Sequence, residues 1–383
     1  MNTELFKPFN LCFRVIKTLG MWQDGQQTWR YFFLGFLFHF LTIELFLICQ
    51  VVYIAKGENF EQLIETMALF LVILALSLKS FERIRRIIKT VEVLNQLLEF
   101  TCHNSTKRRG NLIRRTREIL RFYYFFWSCT TFASICGLLT VIVIHKMPSS
   151  MWFPFDTEGS EIGFWIGSFY MIAVSCIGST LTVAWEVLPV IFISFAVGLV
   201  EELGERLQEV KDKDDLVKCI KVHLKIKDYV REIKNIFSLA ILIQGIISST
   251  SICFGAFSLS TVSPLSAQNY LLSLTFCTFQ ETYLTGYATF LFFTFSMILK
   301  IFLPCYFGNE LTSASSKLST ALYDSAWLET DREFKMNMKI FIENAKLEIN
   351  FTAFSFFKAN LETFKAIVNT AYSLYAVLKN INK

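Results

Sequence analysis

Residues 164–200 read FWIGSFYMIAVSCIGSTLTVAWEVLPVIFISFAVGLV, 37 consecutive positions with one charged side chain, Glu186. A helix that crosses a bilayer needs about 20 mostly apolar residues, because a rise of ~1.5 Å per residue then spans the ~30 Å hydrocarbon core. This run is long enough to cross and to continue beyond. Lipid-exposed strands alternate apolar and polar positions, and this stretch does not. It reads as a membrane-spanning helix.

Six further apolar runs flank it. Tyr31–Ala55, Phe60–Phe81 and Phe122–Ile144 precede it, and Phe237–Val262, Phe279–Leu303 and Phe351–Leu378 follow. The second is short and preceded by Glu61 and Glu65, and the seventh carries Lys358, Glu362 and Lys365. Composition agrees with a membrane protein. Hydrophobic residues make up 53% of the 383 and charged residues 18%, against about 25% in an ordinary soluble domain. A water-soluble core could not hide 41 phenylalanines, so much of the apolar surface meets something other than water. The expected fold is all-α, with seven transmembrane helices. No cleavable leader is evident before Tyr31, and the first span is expected to act as its own signal.

The net charge of +5 is too small to suggest a nucleic-acid partner, but its distribution is informative. Four of the 37 Lys and Arg precede the first span, eleven lie between the second and third, nine between the fourth and fifth, and five between the sixth and seventh. These 29 face 4 on the other side (Lys56, Lys146, Lys379, Lys383), with Lys79, Lys300, Lys358 and Lys365 in or beside spans. The positive-inside rule then places the N-terminus in the cytoplasm and the C-terminus outside. The glycosylation sequons at Asn104 and Asn350 both fall on the cytoplasmic side of this topology, where no glycan is added.

The cytoplasmic segments are more than connectors. Ile84, Ile87, Ile88, Val91, Leu94 and Leu98 recur at helical spacing among Arg83, Arg85, Arg86 and Lys89, as though the second span continued as an amphipathic helix. Residues 201–235 mix nine acids with nine bases, as a solvated helix pair does. Residues 308–350 space Leu311, Leu318, Leu322, Trp327, Phe334, Ile340 and Phe341 through a mixed-charge stretch. Together they predict a helical anchor layer under the membrane. The basic stretch Lys107–Arg121 reads equally as a contact for anionic lipid headgroups.

Catalysis finds no support. The ten cysteines are scattered without a CxxC pair, and His39, His103, His145 and His223 are isolated, so neither metal nor cofactor is expected. HExxH, GxSxG and Walker patterns are absent. Glu44, Glu186, Glu281 and Lys300 fall inside spans, where an ionisable group is costly unless paired or wet. What remains is binding, conduction or transport. The outer halves of the third, fourth and sixth spans hold Ile135, Cys136 and Leu139; Phe169, Tyr170 and Ala173; and Phe279, Tyr283 and Tyr287. Such a lining suits a small apolar ligand, with tyrosine hydroxyls or Thr66 to orient it, although the same rings also serve helix packing and lipid contact. In the seventh span, Asn369, Thr370, Tyr372, Ser373 and Tyr375 interrupt the apolar residues below Val377 and Leu378. Several copies of such a helix around an axis would enclose a pore gated by dewetting at Val377, while a polar stripe also serves helix packing.

The stretch from Phe302 to Trp327, beginning Phe302-Leu303-Pro304-Cys305-Tyr306-Phe307-Gly308-Asn309-Glu310-Leu311, resembles the C-terminal signature of insect odorant receptors. The likeness continues through Phe356, Phe357, Leu361-Glu362-Thr363-Phe364 and Ala371-Tyr372-Ser373. The resemblance implies an odorant-gated, non-selective cation channel of four subunits in the plasma membrane of olfactory sensory neurons. It implies a ligand cavity between spans two, three, four and six, to which Thr66, Met67 and Phe70 on span two contribute with the residues named above. It also implies a pore lined by the last helix, with Tyr372, Ser373, Val377 and Leu378 at the gate. The chain then divides into a ligand-binding bundle, 1–303, and an anchor helix with the pore-lining span, 304–383. The segment between spans four and five is short, unlike the long insertion of the family's co-receptor. The chain thus resembles an odour-specific subunit whose partners are a small volatile molecule, co-receptor subunits and membrane lipid. The last helix lacks the Gln-Phe usual in gustatory receptors. From the residues alone, a gustatory-receptor-like channel, a metabotropic seven-helix receptor and a secondary transporter stay open as alternatives.

Overall fold

In the computed structural model, the run 164–200 lies inside one helix, α7 (Glu161–Gln208). The structure describes residues 7–18, 29–56, 60–80, 84–102, 106–145, 147, 151–157, 159–261, 276–353 and 357–381. Ser160 starts α7 by accepting the Gly163 N–H on its hydroxyl at 3.2 Å. At 48 residues the helix is about 72 Å long, more than twice the hydrocarbon thickness. From Leu181 to Val200 every residue except Glu186 is buried, so this half of α7 is the post around which the chain packs.

The other helices are α1 (Lys7–Thr18), α2 (Trp29–His39), α3 (Leu45–Lys56), α4 (Phe60–Ser80), α5 (Ile84–Cys102), α6 (Thr106–Ile144), α8 (Lys213–Thr261), α9 (Phe276–Ser316), α10 (Leu318–Tyr323), α11 (Arg332–Ala345) and α12 (Leu361–Ile381). The described residues of the first six apolar runs therefore fall on helix, and the seventh is helical from Leu361. Among the described residues, four helical stretches are long and apolar enough to cross a membrane: Phe33–Lys56, Glu161–Gln208, Lys213–Phe257 and Leu291–Tyr323.

The mixed-charge segment 201–235 resolves as the continuation of α7 and the start of α8, joined by a short turn. There Asp212 Oδ1 accepts the Asp215 N–H at 2.8 Å, and Asp214 and Asp215 complement the positive end of the α8 dipole. The amphipathic reading of the segment after span two holds: Ile87, Leu94, Leu97 and Leu98 are buried while Arg86, Lys89 and Glu92 are exposed. Leu311, Leu318, Leu322, Phe334 and Phe341 enter the main core with Phe9, Cys12, Ile16 and the inner residues of α7 and α8. Ile340 does not; it lies 56% exposed on the outer face of α11. The core is thus densest at the Lys- and Arg-rich end. Phe33, Leu34, Phe36, Ile162, Trp165 and Ile246 stand exposed, apolar surface suited to lipid.

The last helix starts later than its hydrophobicity suggests. Phe351 is not its first turn but a buried residue ahead of a two-stranded hairpin, β1 (Thr352–Ala353) and β2 (Phe357–Lys358), paired Thr352↔Lys358 and Ala353↔Phe357. Asn360 then starts the helix, its Oδ1 accepting the Thr363 N–H at 2.9 Å, and Glu362 lies in the first turn where the helix dipole favours an acid. Lys358 is in the hairpin, outside the span.

Candidate functional site

Between α2 and α3 the helix widens into one π turn, Phe40–Glu44. The Leu45 N–H reaches back five residues to the Phe40 carbonyl instead of four to that of Leu41. The Leu41 carbonyl accepts the Tyr170 hydroxyl of α7 at 3.0 Å. The Tyr170 ring packs against Phe46 of α3 and Phe153, with centroids 6.4 and 6.3 Å away. Glu44, at the end of the same π turn, accepts the Ser77 hydroxyl of α4 at 2.7 Å and lies 3.6 Å from His39 Nε2. The intramembrane acid flagged by the sequence is thus paired, and the π turn ties α4 and α7 to the first span. Tyr170 presents its ring to this interior while its hydroxyl is engaged by backbone.

Thr66 is buried and Met67 and Phe70 are half-buried on α4, as is Ala173 one turn beyond Tyr170. Two of the expected pocket residues lie on exposed faces. Phe169 is 76% exposed and Ile135 54% exposed in the single chain. Adjacent helix positions diverge by about 100°, so Phe169 and Tyr170 serve different faces. The side chains of Cys136, Leu139, Phe279, Tyr283, Tyr287 and Leu378 lie outside the described residues. Phe46, Phe153 and Ser77 were not foreseen; Glu44 was the signal that led to one of them, since a carboxylate inside a span needs a donor.

The second candidate site is α12. One face is seated: Ala371, 2% exposed, packs in an apolar cluster with Ile252 of α8 and Met297, Ile301 and Cys305 of α9. Phe364 and Ile367 pack against the same cluster, and the opposite face is open. Ala366, Asn369, Ser373, Val377 and Asn380 form one exposed stripe at helical spacing, beside Tyr372 at 70% exposed. The hydroxyls of Thr370 and Ser373 donate to the Ala366 and Asn369 carbonyls at 2.8 and 3.0 Å, so the stripe is polar without unsatisfied hydroxyls.

At the basic end, Arg115 of α6 bridges Glu201 of α7 and Glu310 of α9 within a charged cleft of about 820 Å³. Lys213 at the start of α8 pairs with Glu333 of α11. His223 of α8 is 2% exposed, its ring 5.2 Å from that of Phe341, and burial together with nearby Lys227 pushes its pKa down to about 4. These contacts bind α6 to α11 into one helical layer.

These elements make a bundle of long helices, several long and apolar enough to cross a membrane, with aromatic side chains packed around Tyr170 and a partly polar last helix. The chain belongs to the 7tm Odorant receptor family, whose model matches residues 59–372. It is similar to Odorant receptor 94a of Drosophila melanogaster, 24% identical over 294 residues that cover 74% of this chain and 71% of the relative. Odorant receptor 22b of the same species is 22% identical over 374 residues, 94% of this chain and 88% of that protein. The fold is that of the olfactory receptor OR5 from Machilis hrabei, solved in complex with eugenol, at a TM-score of 0.72 and 15% identity over 99% of this chain and 100% of that one. The receptor is a membrane protein whose ligands are small odorants.

Proposed function

We propose that the chain is the odour-specific subunit of a heteromeric, odorant-gated cation channel, assembled with co-receptor subunits in the plasma membrane of olfactory sensory neurons. The observation that carries this reading is α12: packed through Ala371 and open along Asn369, Ser373 and Val377. An exposed helix face with backbone-satisfied hydroxyls suits a water-filled axis shared among subunits, with Tyr372, Ser373, Val377 and Leu378 forming the narrow gate.

Seven spans with the basic end in the cytoplasm and the C-terminus outside account for 29 Lys and Arg on one side against 4 on the other. Residues 1–303 then act as the ligand-binding bundle, and 304–383 as anchor and pore. The odorant binds in the outer half between spans two, three, four and six. Thr66, Met67, Phe70, Tyr170 and Ala173 serve as its inner wall, and Ile135, Cys136, Leu139, Phe169, Phe279, Tyr283 and Tyr287 complete the candidate set. It opens the gate only to the extent that it binds the open arrangement more tightly.

The test is co-expression with a co-receptor subunit and a screen of volatile molecules by whole-cell current. Odorant-evoked cation current that requires this chain supports the proposal. A C-terminus shielded from antibody on intact cells overturns the topology.

A further inference from the structure

Among the described residues, Pro189 of α7 and Pro304 of α9 are the prolines inside long helices, and both line one cavity. Proline has no N–H, so the carbonyl four residues earlier in each helix has no helical N–H to accept. Those carbonyls belong to Trp185 and Lys300, which line the same cavity. Glu186 and Gln244 line it too, and these last four also line a smaller cavity beside it.

Three of the polar side chains here are buried and Glu186 is half-buried. Lys300 is 5% exposed and Gln244 6%, and the Gln244 amide donates to Ser248 at 2.7 Å. The Trp185 indole, 3% exposed, has an N–H that meets no acceptor in the protein. A carboxylate and an ammonium at this depth need polar company, and a bare indole donor is rarely left buried. The two cavities measure about 20 and 10 Å³. A water needs roughly 10–15 Å³ and two to four polar partners, which the indole donor, the two released carbonyls and the two charges provide.

This node stands back to back with the pore helix. Ile301 and Cys305, each next in sequence to a node residue, pack with Ala371 of α12. A Cβ added to Gly245, beside Gln244, would sit 3.2 Å from Phe357 and 3.7 Å from Ile367 of α12. We propose that this cavity binds one or two ordered waters solvating Glu186 and Lys300, and that the hydrated charge node fixes how α9 seats against α12. The site is structural in itself; its effect on current rests on the channel reading above.

The experiment compares Trp185→Phe, Glu186→Gln, Lys300→Met and the double Glu186→Gln/Lys300→Met in the full chain with a co-receptor subunit. Thermal midpoint of the purified complex and unstimulated current at matched surface expression are both read. Each single charge change is expected to lower the midpoint and to raise unstimulated current about tenfold, because the cavity is left with a net charge in place of two opposite ones. The double is expected to recover both to within about twofold of wild-type current, and Trp185→Phe to give a smaller shift in the same direction. Single variants lost from the surface but rescued in the double carry the same meaning. Midpoint changes that simply add in the double, or a double lost from the surface, overturn the node. If the wild-type complex carries no current beyond the co-receptor alone, the channel reading fails and the melts still decide the node.

Discussion

The Tyr170 hydroxyl donates to the Leu41 carbonyl at 3.0 Å, across the π turn that interrupts the first span. The bond joins two helices far apart in sequence at a carbonyl that a regular α-helix would have used internally. Replacing Tyr170 by Phe leaves the ring on Phe46 and Phe153 and removes only this bond, so the expected cost is about 1 kcal/mol. Ser77→Ala removes the donor to the Glu44 carboxylate and should cost more, roughly 1.5–3 kcal/mol, because that acceptor is charged. Thermal melts of the two purified variants check the order.

Ala371 and Val377 sit six residues apart on α12 with opposite fates. Ala371→Leu must force a larger side chain among Ile252, Met297, Ile301 and Cys305, at about 1–3 kcal/mol. Val377→Leu on the exposed face should change stability by no more than about 0.5 kcal/mol. The pair of melting curves checks it, and equal losses would mean that the exposed face is packed in the assembly.

His223 gives the anchor layer a pH dependence of definite sign. Burial holds its folded-state pKa at about 4, below the ordinary 6.5. The unfolded chain therefore binds a proton that the folded chain refuses as pH falls from 6.5 to 4. Stability is complete above about pH 6.5 and declines by up to about 3 kcal/mol toward pH 4, levelling below that. His223→Phe should flatten this part of the melting midpoint against pH; an unchanged slope would assign it to other groups.

Asn360→Ala removes the side-chain acceptor that starts α12 and should cost about 1 kcal/mol. Hydrogen exchange is expected to speed up at the amides of Thr363 and its neighbours, leaving those near Ala371 protected.

The membrane class and the helical content were legible because one apolar run of 37 residues and a lopsided charge count need no tertiary information. Hydropathy could not tell Phe169 from Tyr170, since a helix in lipid is apolar on its outer face as well as its inner one. The π turn at Phe40–Glu44 was equally hidden, because no residue type demands it; it shows only in which carbonyl Leu45 reaches. The start of the last helix was legible in principle. Asn360 followed by Glu362 is a helix-start signal, outweighed by the aromatic residues before it. On the proposed channel reading the partners of α12 lie in other chains, so its open face could be read from sequence only as a polar stripe.

Whether this open face meets permeating ions is decided by substituted-cysteine accessibility. Val377→Cys and Ala371→Cys are each expressed with a co-receptor subunit, and a membrane-impermeant thiol reagent is applied from outside while unstimulated cation current is recorded. The reagent is expected to at least halve the current through Val377→Cys complexes and to leave Ala371→Cys and wild-type complexes unchanged. Current that persists through Val377→Cys after labelling is confirmed, or block that depends equally on Ala371→Cys, would contradict it.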